Sequence, residues 1–109
     1  MTAMEALPEI VTEHLAEVRA LCEKYRVKRL AIFGSAVKGT FDPERSDLDF
    51  VVEFFPQPRA GWGDVSYRLQ EELERLFERE VDIVERRTVR NPYFLKVIDL
   101  SERLVYDAA

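Results

Sequence analysis

The sequence predicts an α/β fold (α+β in some schemes), with a small mixed sheet of three to four strands flanked by three helices. Three observations carry that expectation. Leu48, Phe50, Val52 and Phe54 alternate with Asp47, Asp49, Val51 and Glu53, a period of two that marks a strand with an apolar and a largely acidic face. Leu30-Ala31-Ile32-Phe33 is an unbroken apolar run ended by Gly34, as in a central strand covered on both faces. Before and after these strands, apolar residues recur at helical spacing.

In chain order, Val11, Leu15, Val18, Cys22 and Tyr25 fall on one face of a helix predicted from Pro8 to Tyr25. Pro8 suits its first turn, and Glu9 and Glu13 complement the positive end of its dipole. His14, the single histidine, sits at the border of the apolar face and is given no chemical role. Val27–Phe33 is the first strand, Gly34–Arg45 a loop, and the alternating segment the second strand. Pro56 to Gly63 reads as loop from its proline and glycine content. Asp64 is placed to cap a helix whose inner face is Val65, Leu69, Leu73, Leu76 and Phe77, with its glutamates and arginines solvated. Tyr67 of that helix is expected to pack in the core; Trp62 could do the same or meet a partner. Glu80–Glu85 is a short third strand, Asn91-Pro92 opens a last helix to about Leu100, and Arg103–Tyr106 can add a fourth, edge strand.

A chain of 109 residues has room for one domain, here taken as residues 1–109. No apolar run exceeds four residues, against about 20 needed to cross a bilayer, so no membrane association is expected. The N-terminus has neither a basic start nor an apolar signal core, and the lone Cys22 excludes an internal disulfide. A cytoplasmic location is expected. The net charge of −5 counts against a partner bound through a nucleic-acid backbone, which is gripped by clustered Lys and Arg. It favours a small nucleotide, neutralised locally by magnesium, or a protein partner.

The chemistry-bearing stretch is Phe33–Asp49. Gly34 permits a sharp turn and close approach of phosphate to the backbone. Ser35 can donate its hydroxyl and N–H to a triphosphate, and Lys38 can add a point charge. Asp47 and Asp49, two apart on a strand, lie about 6.6 Å apart along it on one face. Such a pair can hold Mg²⁺, and two ions can clamp an in-line phosphoryl displacement. Asp82, the charged residue on its face of the third strand, is the candidate third carboxylate. Singly, each has a plainer role: solvated aspartates, an ordinary turn, a loop lysine. Their order in a strand–loop–strand context is what points to nucleotidyl transfer.

Gly34-Ser35, the loop, Ser46-Asp47-Leu48-Asp49 and the later Asp82 resemble the signature of the DNA polymerase β-like nucleotidyltransferases. With the small size and Asn91-Pro92-Tyr93, the chain is most similar to the minimal nucleotidyltransferases of that superfamily. The resemblance implies a polymerase β-like fold, two Mg²⁺ ions and ATP as substrate. It implies that Asp47, Asp49 and Asp82 are metal-binding and catalytic, and that Gly34 and Ser35 hold the triphosphate. Lys38 stands where the family usually has arginine, and the eleven residues from Ala36 to Ser46 are one more than usual. Many relatives of this size are antitoxins that transfer AMP to a tyrosine of a HEPN-domain toxin, so a HEPN partner and a toxin–antitoxin hetero-oligomer are expected. Two other classes stay open: a non-catalytic antitoxin acting by binding alone, and a nucleotidyltransferase acting on a small molecule or RNA.

Overall fold

The computed structural model describes residues 7–34, 47–56 and 62–108, without the side chains of residues 62–64. The first elements are α1 (Glu9–Thr12), α2 (Leu15–Lys24), β1 (Val27–Phe33) and β2 (Leu48–Phe54). They are followed by α3 (Trp62–Phe77), β3 (Val81–Glu85), a 3₁₀ turn at Arg86–Thr88, α4 (Pro92–Ser101) and β4 (Arg103–Asp107). The sheet order is β3-β2-β1-β4. β1 is antiparallel to both neighbours, and β2 and β3 are parallel. The sheet is therefore mixed and four-stranded, with the C-terminal strand at one edge as the sequence predicts.

β1 is central because it has no polar face to spare. Leu30 and Ile32 are fully buried in the larger core, with Leu48, Phe50 and Val52 of β2 and Leu69 and Leu73 of α3. Ala31 and Phe33 face the other way, into a smaller core with Val51 and Ile98 of α4. Each fully buried Leu, Ile or Phe here stabilises the fold by roughly 1.5–3 kcal/mol. The second core corrects the expected acidic face of β2. Val51 is buried beneath α4, so Asp49 and Glu53 are carboxylates at either side of a dry patch.

The predicted first helix is two. At His14 the backbone leaves helical geometry (φ −120°, ψ 21°), Nδ1 lies 2.9 Å from the Ile10 carbonyl oxygen, and the ring meets Phe77 edge-on at 5.6 Å. The break resets the phase of α2, so that Val18 and Cys22 stay buried while Leu15 turns outward. Four α-helices thus stand among the described residues where three were predicted. Asp64 also falls inside the first turn of α3 rather than before it, since the helix starts at Trp62. Tyr67 is 60% exposed and does not pack in the core. It lies two residues from both Val65 and Leu69, which at about 100° per residue turns it to the far side of the helix.

Nor is the polar side of α3 only solvated. The Tyr25 hydroxyl donates to Glu72, which also receives Lys24 Nζ at 2.9 Å, so the end of α2 is tied to the middle of α3. Asn91 caps α4 as its position suggests, its side-chain oxygen accepting from the Tyr93 and Phe94 N–H groups.

Cys22 is fully buried, and burial, aided by the nearby Glu23 charge, pushes its thiol up to about 12. The folded protein is therefore expected to resist iodoacetamide at pH 8 and to react stoichiometrically in urea, read by intact mass. Rapid labelling of the folded chain would show that the α2 core opens readily.

Candidate active site

One end of the sheet gathers the predicted residues that the structure describes. Phe33 ends β1 and pairs with Asp49 of β2, which pairs on its other side with Asp82 of β3. The alternation that buries Leu48 and Phe50 in the larger core turns Asp49 to the opposite face. The same alternation sends Val81 inward and leaves Asp82 exposed, level with Asp49 on that face. Asp47, exposed, stands one residue before β2 rather than within it.

Gly34 closes this end from the β1 side. Its φ of +80° lies in the left-handed region, and a Cβ placed there would come within 2.8 Å of the Asp49 carboxylate oxygen Oδ2. The backbone of the turn thus rests directly against the carboxylate, a proximity open only to glycine. Periodicity finds Asp49 and marks Gly34 as a turn; their contact depends on two strands meeting and has no local signal. Ser35 and Lys38, and the Gly39 and Ser46 that flank them, lie outside the described residues.

Half-buried Asp49 has its proton affinity raised. The first cause is desolvation, followed by the charges of Asp82 and Asp47, with Asp82 also within hydrogen-bond reach. The three carboxylates therefore share one electrostatic environment. Among the described residues, however, no group of three or more His, Cys, Asp or Glu side chains is drawn in around a common centre. The described residues thus show the three aspartates as one electrostatic neighbourhood of mutually repelling charges.

A separate cleft of about 340 Å³ lies toward the other end of β2 and β3, lined by Val52, Phe54 and Leu95 with Glu53, Glu85 and two arginines. Arg86 bonds Asp99 at 2.6 Å and Arg87 pairs with Glu85 at 3.1 Å, so its cations are already matched by anions. The aspartates are not among its lining residues.

Comparison with known proteins decides the family. Residues 18–107 match the family model described as nucleotidyltransferase domain. This chain belongs to the nucleotidyltransferases. A Methanocaldococcus jannaschii relative, MJ1379, provisionally named a protein adenylyltransferase, is 33% identical over 97% of this chain and 99% of its own. Protein adenylyltransferase MntA of Thermococcus cleftensis is 32% identical over 84% of this chain and 85% of its own. A solved structure described provisionally as a minimal nucleotidyltransferase superposes with a TM-score of 0.70 at 30% identity, covering 86% of this chain and 91% of that one. The MNT antitoxin fold solved with a tri-AMPylated HEPN toxin of Shewanella oneidensis gives 0.64 at 14% identity, covering 90% and 73%. The nucleotidyltransferase thus sits on the minimal branch of its superfamily, whose members act on nucleoside triphosphates with divalent metal.

The carboxylates of this nucleotidyltransferase fit such an ion. Hard oxygen donors are the ligands Mg²⁺ prefers. Burial is the first cause of the raised proton affinity of Asp49, and the part that comes from the Asp82 and Asp47 charges is one that a cation would offset.

Proposed function

We propose that this nucleotidyltransferase transfers AMP from ATP to a tyrosine hydroxyl on a partner protein, and that the partner is a HEPN-domain toxin silenced by the modification. The observation that carries the reading is the register placing Asp49 beside Asp82, with Gly34 against it. The likeness to protein adenylyltransferases supports a protein as the acceptor class. In the transfer, the acceptor oxygen forms a bond to the α-phosphorus, the α–β phosphoanhydride bond breaks, and pyrophosphate leaves with the pair of electrons.

Asp47, Asp49 and Asp82 would hold magnesium, which when bound neutralises phosphate charge and polarises the α-phosphate. Two ions are expected. Asp82, exposed on the edge strand, is the carboxylate that an incoming hydroxyl can reach, and it orients the nucleophile and receives its proton. Gly34 keeps a side chain out of the space beside Asp49 and, with Ser35 and Lys38, holds the β- and γ-phosphates in line for departure. Catalysis of this kind rests on positioning and charge neutralisation. The whole apparatus is taken to be one domain over residues 1–109.

The test is incubation with the protein encoded beside it or another HEPN-domain candidate, α-labelled ATP and Mg²⁺. Label is expected on a tyrosine of the partner, and to be absent with the Asp47→Asn/Asp49→Asn double variant. Full neutralisation of the partner by that variant with no label transferred would replace the enzyme with a binder.

A further inference from the structure

An apolar stripe on α4 and β4 is left without a partner. Seven large apolar side chains are exposed among the described residues, and four belong to this one segment: Tyr93 (81%), Val97 (46%), Leu100 (74%) and Leu104 (45%). Tyr93, Val97 and Leu100 are spaced i, i+4, i+7, so they form one ridge along α4. Leu104 extends it, because its pairing with Ala31 puts it on the sheet face that α4 covers. Patches of this kind mark interaction surfaces, whereas single exposed leucines do not.

The ridge has a direction. Ile98 is fully buried against the sheet, and Phe94 reaches Phe33, ring centroids 5.9 Å apart. Leu95 and Asp99 turn to the opposite flank, toward the cleft and Arg86. At about 100° per residue, Tyr93, Val97 and Leu100 fall on the outer side and toward the flank that Phe94 shares. Phe33 is the residue paired with Asp49 and followed by Gly34. The ridge therefore lies over the β1–β4 side of the sheet face that carries Asp49, with Phe33 between the two and Asp82 on the far edge strand.

Charge narrows the occupant. The acids of this segment are engaged, Asp99 with Arg86 and Glu102 with Arg29 at 2.9 Å. Arg90 and Lys96 are exposed, with no ion pair among the described residues. The flank of the ridge that carries Arg90 and Lys96 is thus cationic on a chain of net charge −5. A second copy in a two-fold contact would set the same ridge, and the same cations, against each other.

We propose that Tyr93, Val97, Leu100 and Leu104 form the docking surface for the acceptor protein, which lays on it an apolar helix face bordered by acidic residues. This rests on the transfer to a protein proposed above, and it names the surface that brings the acceptor hydroxyl to the aspartates. Helix against helix suits the spacing, and the cationic flank gives the approach its sign.

The experiment titrates the same HEPN-domain candidate acceptor into the wild type and into Val97→Glu and Leu100→Glu variants by calorimetry, and measures label transfer in parallel. Each glutamate is expected to weaken the complex roughly tenfold or more, while thermal melting and Mg-ATP binding stay as in the wild type. Lys96→Glu should weaken it less, and Tyr67→Glu, on α3, should leave it unchanged. Wild-type affinity or wild-type kcat/KM toward the acceptor in both glutamate variants would overturn the surface, as would absence of any complex with the wild type. A homodimer that Leu100→Glu dissociates would give the ridge to a second copy and also overturn it. A complex that depends on the ridge but passes no label would leave the surface standing and remove the transfer reading instead.

Discussion

Asp49→Asn is expected to raise the thermal stability of the metal-free protein near neutral pH while lowering nucleotidyl transfer by about 10³-fold or more. Both effects have one source. The folded protein holds Asp49 half-buried beside the charges of Asp82 and Asp47, and its proton affinity is raised above the usual value of 3.8. A carboxyl raised by folding contributes stability that is fully present below its unfolded pKa and is lost as pH rises through the folded one. At neutral pH the metal-free fold therefore carries the cost of that charge, and the amide removes it. The gain should shrink as pH falls through the raised pKa of the folded protein, where the wild-type carboxyl also becomes neutral. The activity loss reflects several kcal/mol of transition-state charge stabilisation, at 1.36 kcal/mol per tenfold. Added Mg²⁺ should raise the melting temperature of the wild type and have much less effect on the variant. Scanning calorimetry with and without Mg²⁺ at pH 5 and 7.5 separates these effects. A variant less stable than the wild type at both pH values would mean that Asp49 is a structural ligand of the fold and not a stored charge.

Gly34→Ala should impair function in the opposite way, by adding an atom. At φ +80° an alanine costs roughly 1–2 kcal/mol in the backbone alone. Its Cβ would also fall 2.8 Å from Asp49 Oδ2, so the carboxylate has to move. Displacement of a catalytic group by about 1 Å can cost on the order of 10²-fold. The expected outcome is a modest drop in melting temperature with transfer reduced about 10²-fold, and with acceptor binding by α4 unchanged. Transfer within twofold of wild type would show that the Gly34 turn and Asp49 can separate freely.

Much of this was legible in the chain because it is local. Alternation from Leu48 to Phe54 set both the strand and the face on which Asp49 stands, and the Leu30–Phe33 run marked β1 as doubly covered. What escaped depends on contacts between distant segments. The break at His14 coincides with its ring meeting Phe77, far along the chain, and beyond it Leu15 lies outward against its spacing. Val51 sat in an apparently acidic row until α4 covered it. Tyr67, expected in the core, lies outside because its position on the helix turns it away from Val65 and Leu69. At the site, the residues were readable but their assembly was not, because the approach of Gly34 to Asp49 is a tertiary fact.

The parallel pairing of β2 with β3 has one further consequence. Asp49 and Asp82 are contributed by strands that α3 separates in sequence, and β3 is a five-residue strand at the edge of the sheet. Under the proposed function, chemical competence is a property of the completed topology: neither half of the polypeptide carries both acids, and a slip of β3 by a single position would set Val81 or Ile83 opposite Asp49 in place of Asp82. Such a slip would drag Val81 out of the larger core, so the apolar packing of that one valine acts as a proofreader for the alignment of the charges.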